Sequence, residues 1–257
     1  MCKTFDKYAV FIDIDGTLMG KCDEALGKNL ATIQKVRSLG HKVFISTGRS
    51  TAYLPEKIGI EKNFDGVISG AGAVARFNNK EFLKQLMPYS MTEKFSRFVL
   101  QHNLMGILEG QNNMYHFEIP EGAEAHWIKL DEENFSKIIT PDIPIEKFTI
   151  SGKAPKELDE IMGDECTVLR FPTYVEIIQK TLGKGNALRE TLKMLDIPIE
   201  RSVAIGDSMN DFDMLKAAGI SVAMGNAPDK IKEIADIVTK DVDSAGVSDA
   251  LTRIFNL

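Results

Sequence analysis

Short, continuously apolar runs alternate along the chain with stretches in which apolar residues recur every three or four positions. The first run starts at Tyr8 and stops abruptly at Asp13, and the segment from Ala25 to Leu39 then has helical spacing until Gly40. Continuous apolar runs are typical of strands that are buried on both faces, as in a parallel sheet covered by helices. The pattern therefore predicts an α/β fold with a doubly wound parallel sheet as its core.

The same alternation returns near the carboxyl end of the chain, so the predicted core is split in sequence. A short helix is expected after Arg49. The other predicted core strands are His41–Arg49, Gly66–Gly70, Ser202–Asp207, Ile220–Met224 and Asp236–Thr239, and the other predicted core helices are Asn186–Leu195, Met209–Ala218, Ala227–Ala235 and Ser244–Phe255.

The pattern changes between about residue 75 and residue 180. There, short strands are joined by turns and separated by helices, which favours an antiparallel α+β arrangement over further parallel layers. The predicted domains are core residues 1–80, an inserted α+β domain at residues 81–180, and core residues 181–257. The predicted elements of the insert are helices over Thr92–Leu104 and Lys156–Met162 and strands over Met105–Glu109, Met114–Ile119, Phe148–Ser151, Cys166–Phe171 and Val175–Ile178.

Composition narrows the range of partners and compartments. The 257 residues carry a net charge of −6 without a long run of Lys or Arg, so neither nucleic acid nor an anionic membrane surface is an expected partner. Cys2, Cys22 and Cys166 form no CxxC pair, which argues against a disulfide framework or a zinc site and suits a reducing cytosol. We expect no signal peptide and no membrane span, and hence a soluble cytoplasmic protein.

Two aspartates one residue apart, Asp13 and Asp15, end the first apolar run and are followed by Gly16 and Thr17. Because side chains alternate along a strand, we expect both carboxylates to point the same way at the end of this one. Two such charges repel unless a cation lies between them. A Mg²⁺ ion bound mainly by oxygen ligands, with an anionic substrate on its open side, would meet that need. The alternative is a solvated turn, because Asp and Gly are common turn residues.

Polar residues also end two other predicted core strands, at Ser46/Thr47 and at Asp207. Ligands bind at the carboxyl ends of the strands in an open parallel sheet, so these residues are candidates for the same site. The Thr47 hydroxyl could hold a phosphate oxygen, or it could cap a following helix.

Asp207 belongs to the segment Gly206–Asp211, which opens a predicted helix. Ser208 and Asp211 fit a capping box, and that alternative accounts for both of them. It does not account for Asp207 and Asn210, which we interpret as functional residues.

Lys184 stands in the first turn of a predicted helix, where a cation opposes the helix dipole. Beside carboxylates it would balance charge and contact a phosphate, although a solvated lysine on a Gly-rich turn is the alternative. Asp13, Asp15, Asp207 and Asp211 together carry about −4, which Lys184 and a Mg²⁺ ion would largely offset. A carboxylate nucleophile, a second carboxyl for proton transfer and a metal make a complete phosphoryl-transfer site.

These residues resemble, in order, the four motifs of the haloacid dehalogenase-like phosphatases: Asp13–Thr17, Thr47, Lys184 and Gly206–Asp211. The place of the insert, the triplet that starts at Thr47 and the segment Val222–Asn226 are similar to the Cof-type sugar-phosphatase subfamily. The resemblance implies a Rossmann-like core and an inserted α+β cap domain that closes over the site.

The resemblance also implies a Mg²⁺-dependent phosphatase, with roles carried over position by position. Asp13 would be the nucleophile that forms an aspartyl-phosphate, and it would also bind Mg²⁺. Asp15 would be the general acid/base, with its backbone carbonyl on the metal. The other implied roles are phosphate binding by Thr47, Lys184 and Asn210, Mg²⁺ binding by Asp207, and support of the metal from the second shell by Asp211.

The predicted partner is a small phosphorylated metabolite, above all a sugar phosphate, and the expected assembly is a monomer or a weak homo-oligomer. One alternative is a phosphomutase or phosphotransferase that uses the same aspartyl-phosphate but admits a second hydroxyl acceptor. Another is a non-catalytic module that binds a phosphorylated metabolite, although the intact motif residues weigh against it.

Candidates for substrate contacts within the insert are His116, Trp127 and Arg170, and each of them also fits a packed or surface residue. The three cysteines have no evident base partner, so none is expected to be a nucleophile. The segment Ser69–Ala73 departs from the Asn-Gly pair of many relatives. That departure argues against a substrate contact from this loop, but it leaves the predicted chemistry unchanged.

Overall fold

The apolar runs of the sequence become the strands of two separate sheets. The computed structural model describes residues 7–118 and 127–257. Within them the chain groups into two compact units, the first made of residues up to Gly48 with Pro55–Leu83 and Gly183–Leu257. The second unit contains Lys84–Leu182 and also Arg49–Leu54, a segment that precedes the predicted insert in sequence.

An eight-stranded sheet forms the first unit, in the order β14-β13-β12-β1-β2-β3-β4-β5. The six strands from β14 to β3 are parallel to one another, so the predicted parallel core is confirmed. The strands are β1 (Ala9–Ile12), β2 (Lys42–Ser46), β3 (Gly66–Ser69), β4 (Val74–Phe77), β5 (Lys80–Lys84), β12 (Ser202–Gly206), β13 (Ile220–Ala223) and β14 (Ile237–Val238).

Helices cover both faces of this sheet. Ala9 and Phe11 of β1 pack in one core cluster with Leu188 and Met214, which lie on helices that follow later in the chain. Val10 and its neighbour Ile12 point to the opposite face and are also fully buried, as a doubly wound sheet requires. The helices of this unit are α1 (Asp23–Ser38), α2 (Ile60–Asn63), α6 (Lys184–Leu195), α7 (Phe212–Ala217), α8 (Asp229–Lys232) and α9 (Gly246–Phe255).

Several elements of the first unit differ from the prediction. Strand β4 is antiparallel to β3 and is followed by β5 after a two-residue turn, in which Asn78 and Asn79 have φ of 49° and 60°. β4 is half buried, β5 is mostly exposed, and neither has a continuous apolar run, which explains why the pattern missed them. The segment after Arg49 contains 3₁₀ turns before the short α2, and α7 starts only at Phe212, after a 3₁₀ turn.

The second unit is built on a six-stranded sheet in the order β10-β11-β9-β6-β7-β8. All of its neighbours are antiparallel except β7 and β8, so the predicted α+β character of the insert is confirmed. Neither β8 nor α4 was predicted, and Ile119 of the predicted second strand lies outside the described residues. The elements are α3 (Tyr89–Gln101), β6 (Met105–Gly110), β7 (Met114–His116), β8 (Trp127–Lys129), α4 (Phe135–Ile138), β9 (Ile145–Ser151), α5 (Glu157–Met162), β10 (Cys166–Arg170) and β11 (Tyr174–Gln179).

One face of the second sheet carries a buried apolar core, and β9 also carries a buried charge. Phe95 of α3 stacks on Phe148 of β9, with ring centroids 4.5 Å apart. On β9, the buried Lys147 forms ion pairs with Glu176 and with Glu109, the latter at 3.3 Å. Burial lowers the pKa of Lys147, but the two carboxylates outweigh that effect and hold it above its ordinary value.

The segment Arg49–Leu54 is tied to the second unit by side-chain contacts. Thr51 donates hydrogen bonds to Glu146 from its backbone N–H at 3.2 Å and from its hydroxyl at 2.5 Å. The Tyr53 ring meets Trp127 edge-on at 6.3 Å between centroids. Across the described residues of both units, every helix is too short or too polar to cross a membrane.

Candidate active site

Three neighbouring strands of the eight-stranded sheet end in the predicted site residues. Strand β1 lies between β12 and β2, and all three run in parallel. Asp13 follows β1, Thr47 follows β2 and Asp207 follows β12. Because the carboxyl ends of parallel strands meet at one edge of the sheet, the topology brings these residues to the same place.

The two aspartates of the first motif differ in their surroundings. Asp13 is 3% exposed, and its N–H donates to the Ile205 carbonyl at 3.0 Å, whereas Asp15 is exposed. Strand β1 already ends at Ile12, so the alternation of a strand does not set the direction of either carboxylate. A turn does, in which the Leu18 N–H donates to the Asp13 carbonyl at 3.2 Å. The predicted turn therefore exists, but its first aspartate is not solvated.

Lys184 is the first residue of α6 and is 1% exposed, which excludes a solvated lysine. Its Nζ lies 2.6 Å from Oδ1 of Asp13 and 2.6 Å from Oδ1 of Asp211. Burial lowers the pKa of Lys184, but the two carboxylates outweigh it and raise the pKa above its ordinary value. The two carboxylates therefore favour the charged form of Lys184, whose ion pairs join α6 to the end of β1.

The loop Ser69–Ala73 packs against the start of α6. Gly72 has φ of 103°, and a β-carbon there would lie 2.6 Å from the Gly183 carbonyl oxygen. A larger residue would push α6 away from the sheet, so this glycine helps to set the position of Lys184.

Asp211 is fully buried, and both of its carboxylate oxygens are engaged. Oδ1 accepts from Lys184, while Oδ2 accepts from the backbone N–H groups of Asp207 at 3.0 Å and Ser208 at 3.1 Å. The capping interpretation is therefore correct for Asp211 and Ser208. Asp211 also holds the backbone of Asp207 in place.

Two residues to which the sequence assigned no role hold the Asp207 side chain. The Thr17 hydroxyl donates to Oδ1 of Asp207 at 3.0 Å. Asn226 donates from Nδ2 to the Gly16 carbonyl at 2.9 Å and lies 3.5 Å from Oδ2 of Asp207. Both residues belong to motifs that the sequence singled out, but their partners are distant in sequence, so only the fold reveals the contacts.

Of the remaining predicted phosphate ligands, Asn210 contacts this cluster and Thr47 follows the neighbouring strand β2. Oδ1 of Asn210 lies 3.5 Å from Nζ of Lys184 and accepts from the Ser208 hydroxyl at 2.7 Å. Thr47 is 1% exposed. The next helical turn along the chain starts only at Thr51, so Thr47 does not cap a helix.

The electrostatics of the cluster suit a divalent cation. Carboxylate oxygens of Asp13, Asp207 and Asp211 lie within 4.8 Å of one another, and Lys184 supplies one compensating charge. Burial, reinforced by the Asp211 charge and opposed by Lys184, raises the pKa of Asp13 to about 8. Burial and Asp211 likewise raise the pKa of Asp207 to about 6. The three carboxylates are thus short of positive charge, and hard oxygen ligands are the donor set that Mg²⁺ prefers.

The candidates for substrate contacts in the second unit have protein partners. His116 is buried and stacks on Trp127, with ring centroids 4.2 Å apart. Arg170 donates to Oδ2 of Asp159 at 2.6 Å and to the Ala154 carbonyl at 2.8 Å.

Burial raises the pKa of the Cys166 thiol to about 11, which keeps it protonated and unreactive.

The first unit belongs to the class of α/β proteins with an open, mainly parallel sheet and acidic side chains at strand ends, and the α+β insert interrupts its sequence. Within this class, the chain belongs to the haloacid dehalogenase-like hydrolases, whose family model matches residues 10–251. The family resemblance read from the motifs is confirmed.

Curated relatives and solved structures agree with this assignment. Phosphatase YwpJ of Bacillus subtilis is 28% identical over 285 aligned positions, which cover 95% of this chain and 99% of YwpJ. The 5-amino-6-(5-phospho-D-ribitylamino)uracil phosphatase YcsE of Bacillus subtilis is 29% identical, covering 94% of this chain and 93% of YcsE. A haloacid dehalogenase-like hydrolase from Bacteroides thetaiotaomicron superposes with a TM-score of 0.85 at 23% identity, covering 97% of this chain and 100% of that one.

Proposed function

We propose that this hydrolase is a Mg²⁺-dependent phosphatase that acts on a small phosphorylated metabolite through an aspartyl-phosphate on Asp13. The observation that carries the proposal is the buried pairing of Asp13 with Lys184 beside the carboxylate of Asp207. It supplies a fixed carboxylate nucleophile, a cation for the transferred phosphate and ligands for a metal in one cluster.

In the first step, a carboxylate oxygen of Asp13 attacks phosphorus and the bond from phosphorus to the alcohol oxygen breaks. Asp15 gives its proton to that departing oxygen, which leaves the phosphoryl group on Asp13 and Asp15 ionised. Asp13 is buried and held by Lys184, so its carboxylate is oriented before the substrate arrives. Asp15 is exposed, so a substrate can reach its carboxyl group.

In the second step, Asp15 takes a proton from a water molecule whose oxygen attacks phosphorus. The bond between Asp13 and phosphorus breaks, and inorganic phosphate leaves. Thr47, Lys184 and Asn210 hold the phosphoryl oxygens through both steps, because a hydroxyl, an ammonium and an amide can all donate to them.

The metal would be held by the carboxylates of Asp13 and Asp207 and by the carbonyl of Asp15. When bound, Mg²⁺ neutralises charge on the transferring phosphoryl group. Both oxygens of Asp211 already accept hydrogen bonds, so Asp211 acts on the metal indirectly, through Lys184 and the backbone of Asp207.

The relatives support a phosphorylated metabolite of sugar type as the substrate. YwpJ is a phosphatase, and YcsE acts on a compound in which the phosphate sits on a ribityl chain. We therefore propose a phosphorylated sugar or sugar alcohol as the substrate class.

A phosphate-release screen tests the proposal. Sugar phosphates, nucleotides and phosphorylated cofactors are supplied to the purified protein with Mg²⁺ and, separately, after chelation of divalent ions. We expect release from sugar-type phosphates that requires Mg²⁺ and disappears in Asp13→Asn. Asp142→Asn is the matched control, because this aspartate is exposed in the second unit.

Two results would overturn the mechanism. One is phosphate release that survives in Asp13→Asn, and the other is release that does not depend on a divalent ion. An isomerised phosphosugar without free phosphate would identify a phosphomutase instead. A second check is mass spectrometry of acid-quenched protein, in which the peptide that contains Asp13 should carry a phosphoryl group.

A further inference from the structure

Asn226 links three segments of the first unit through one side-chain amide. It lies in the loop after β13, and its Oδ1 accepts from the Val242 N–H at 2.9 Å. Because the backbone N–H can only donate, this contact fixes the amide oxygen on that side and turns Nδ2 toward Gly16 and Asp207. Nδ2 donates to the Gly16 carbonyl at 2.9 Å and approaches Oδ2 of Asp207 at 3.5 Å.

Two of the segments that Asn226 contacts, those of Gly16 and Asp207, lie very close together. Gly16 has φ of 79°, and a β-carbon on it would lie 2.3 Å from Oδ2 of Asp207. On the other side of the same carboxylate, Thr17 donates to Oδ1 at 3.0 Å. The two carboxylate oxygens of Asp207 therefore have different neighbours. Oδ1 accepts a hydrogen bond from Thr17 of the Asp13–Thr17 turn, and Oδ2 lies near the amide of Asn226.

The loop that carries Asn226's partner, Val242, also holds the far end of the turn after β1. Oδ1 of Asp243 accepts from the backbone N–H groups of Lys21 at 2.7 Å and Cys22 at 2.9 Å. Asn226 and Asp243 thus fix the two ends of the segment that follows Asp15. Asn226 is exposed, so its position is set by these hydrogen bonds and not by burial.

We propose that Asn226 is a positioning residue that sets the separation between the Asp13–Thr17 turn and the Asp207 carboxylate. This inference rests on the proposed function, because the separation matters if Asp13 and Asp207 share a Mg²⁺ ion. Side chains that orient metal ligands change metal affinity, typically by about 10-fold to 100-fold on removal. Asn226 does not touch the reacting atoms, so it acts on the metal site and not on the chemical step.

The test is Mg²⁺ binding by calorimetry, with wild type, Asn226→Ala and Asn112→Ala. Asn112 is an exposed asparagine with no side-chain hydrogen bond within the described part of the chain, which makes it a matched control. We expect the Kd for Mg²⁺ to rise about 10-fold or more in Asn226→Ala and to stay unchanged in Asn112→Ala. At saturating Mg²⁺, kcat should remain within a few-fold of wild type, because the nucleophile and the acid/base group are intact.

A cooperative thermal unfolding transition in each metal-free variant excludes misfolding as an explanation, and Asn226→Ser is the second variant. Its hydroxyl keeps a polar group at the position but is too short to reach the Gly16 carbonyl and the Val242 N–H together, so it should lose the same affinity. Mg²⁺ binding that both variants leave unchanged would overturn this inference alone. A wild-type protein that does not bind Mg²⁺ would overturn both this inference and the proposed metal chemistry.

Discussion

Nζ of Lys184 lies 2.6 Å from Oδ1 of Asp13, and both side chains are buried at the carboxyl end of the parallel sheet. The same ammonium group also pairs with Asp211. One cation thus serves two buried carboxylates, and a third, Asp207, lies beside them. The cluster therefore has fewer positive than negative charges, and most of the testable consequences follow from this deficit of positive charge.

Lys184→Met should destabilise the metal-free protein. Two buried carboxylates then lose their counter-ion, and breaking a buried pair in this way costs about 3–5 kcal/mol. The loss should grow as pH rises, because at lower pH the carboxyls can take up protons and become neutral. Chemical unfolding at several pH values measures it, with Lys193→Met on the exposed side of α6 as the control. A variant as stable as wild type at alkaline pH would contradict the ion-pair assignment.

Stabilisation by Mg²⁺ should increase from about pH 6 to about pH 8. The pKa of Asp13 is raised to about 8 and that of Asp207 to about 6, so the folded protein holds protons there that the unfolded chain has already released. Stability of the metal-free form therefore falls as pH rises through this window. Mg²⁺ needs both groups ionised and must displace those protons, so its binding weakens as pH falls.

Thermal unfolding with and without a fixed Mg²⁺ concentration measures this dependence. The gain in Tm should be larger at the alkaline end and should lose most of its pH dependence in Asp13→Asn. A gain that is constant over the window, or larger at acidic pH, would show that Asp13 and Asp207 do not bind the ion.

Asp15→Asn should separate proton transfer from binding. The amide cannot protonate the leaving group, so turnover should fall by roughly 10²–10⁴-fold, as for other acid/base groups. Mg²⁺ affinity should change little, because the backbone carbonyl of residue 15 and the carboxylates of Asp13 and Asp207 remain. Steady-state kinetics measure the loss of turnover, and Mg²⁺ calorimetry measures the affinity for the ion. Unchanged turnover would remove Asp15 from the mechanism.

Lys147→Met should destabilise the second unit without removing any proposed site residue. It leaves Glu109 and Glu176 buried without their cation, at a cost of about 3–5 kcal/mol. Chemical unfolding should detect the loss, whereas Lys153→Met, an exposed lysine of the same unit, should have no effect. Adding Glu109→Gln and Glu176→Gln to Lys147→Met should recover part of the stability. If it does not, packing and not charge explains the loss.

Much of the core and the position of the site could be predicted because the relevant signals are local. Asp13 and Asp207 each end a continuous apolar run, and Lys184 stands where the helix dipole disfavours a cation. The roles of these residues stay predictions until the variants are measured. Strands β4, β5 and β8 were missed because they are short and partly exposed, so their side chains show no continuous apolar run.

The contacts that hold the site residues in place could not be predicted in the same way. Thr17 and Asp207 are 190 residues apart in sequence, and Asn226 and Gly16 are 210 apart. Such contacts depend on the order of strands in the finished sheet, which no local pattern encodes. The difference in burial between Asp13 and Asp15 could not be predicted for a related reason. Their orientation is set by a turn after β1, and not by continuation of the strand.

The grouping of Arg49–Leu54 with the second unit bears on any attempt to exchange that unit between relatives. A graft that replaces only Lys84–Leu182 would separate Thr51 from Glu146 and Tyr53 from Trp127. The recipient would then combine the donor's sheet with its own six-residue segment, whose side chains are matched to the recipient's original sheet. A chimaera should therefore transplant both segments together, and its four splice points should follow the bounds of the two units and not the ends of the long insert alone.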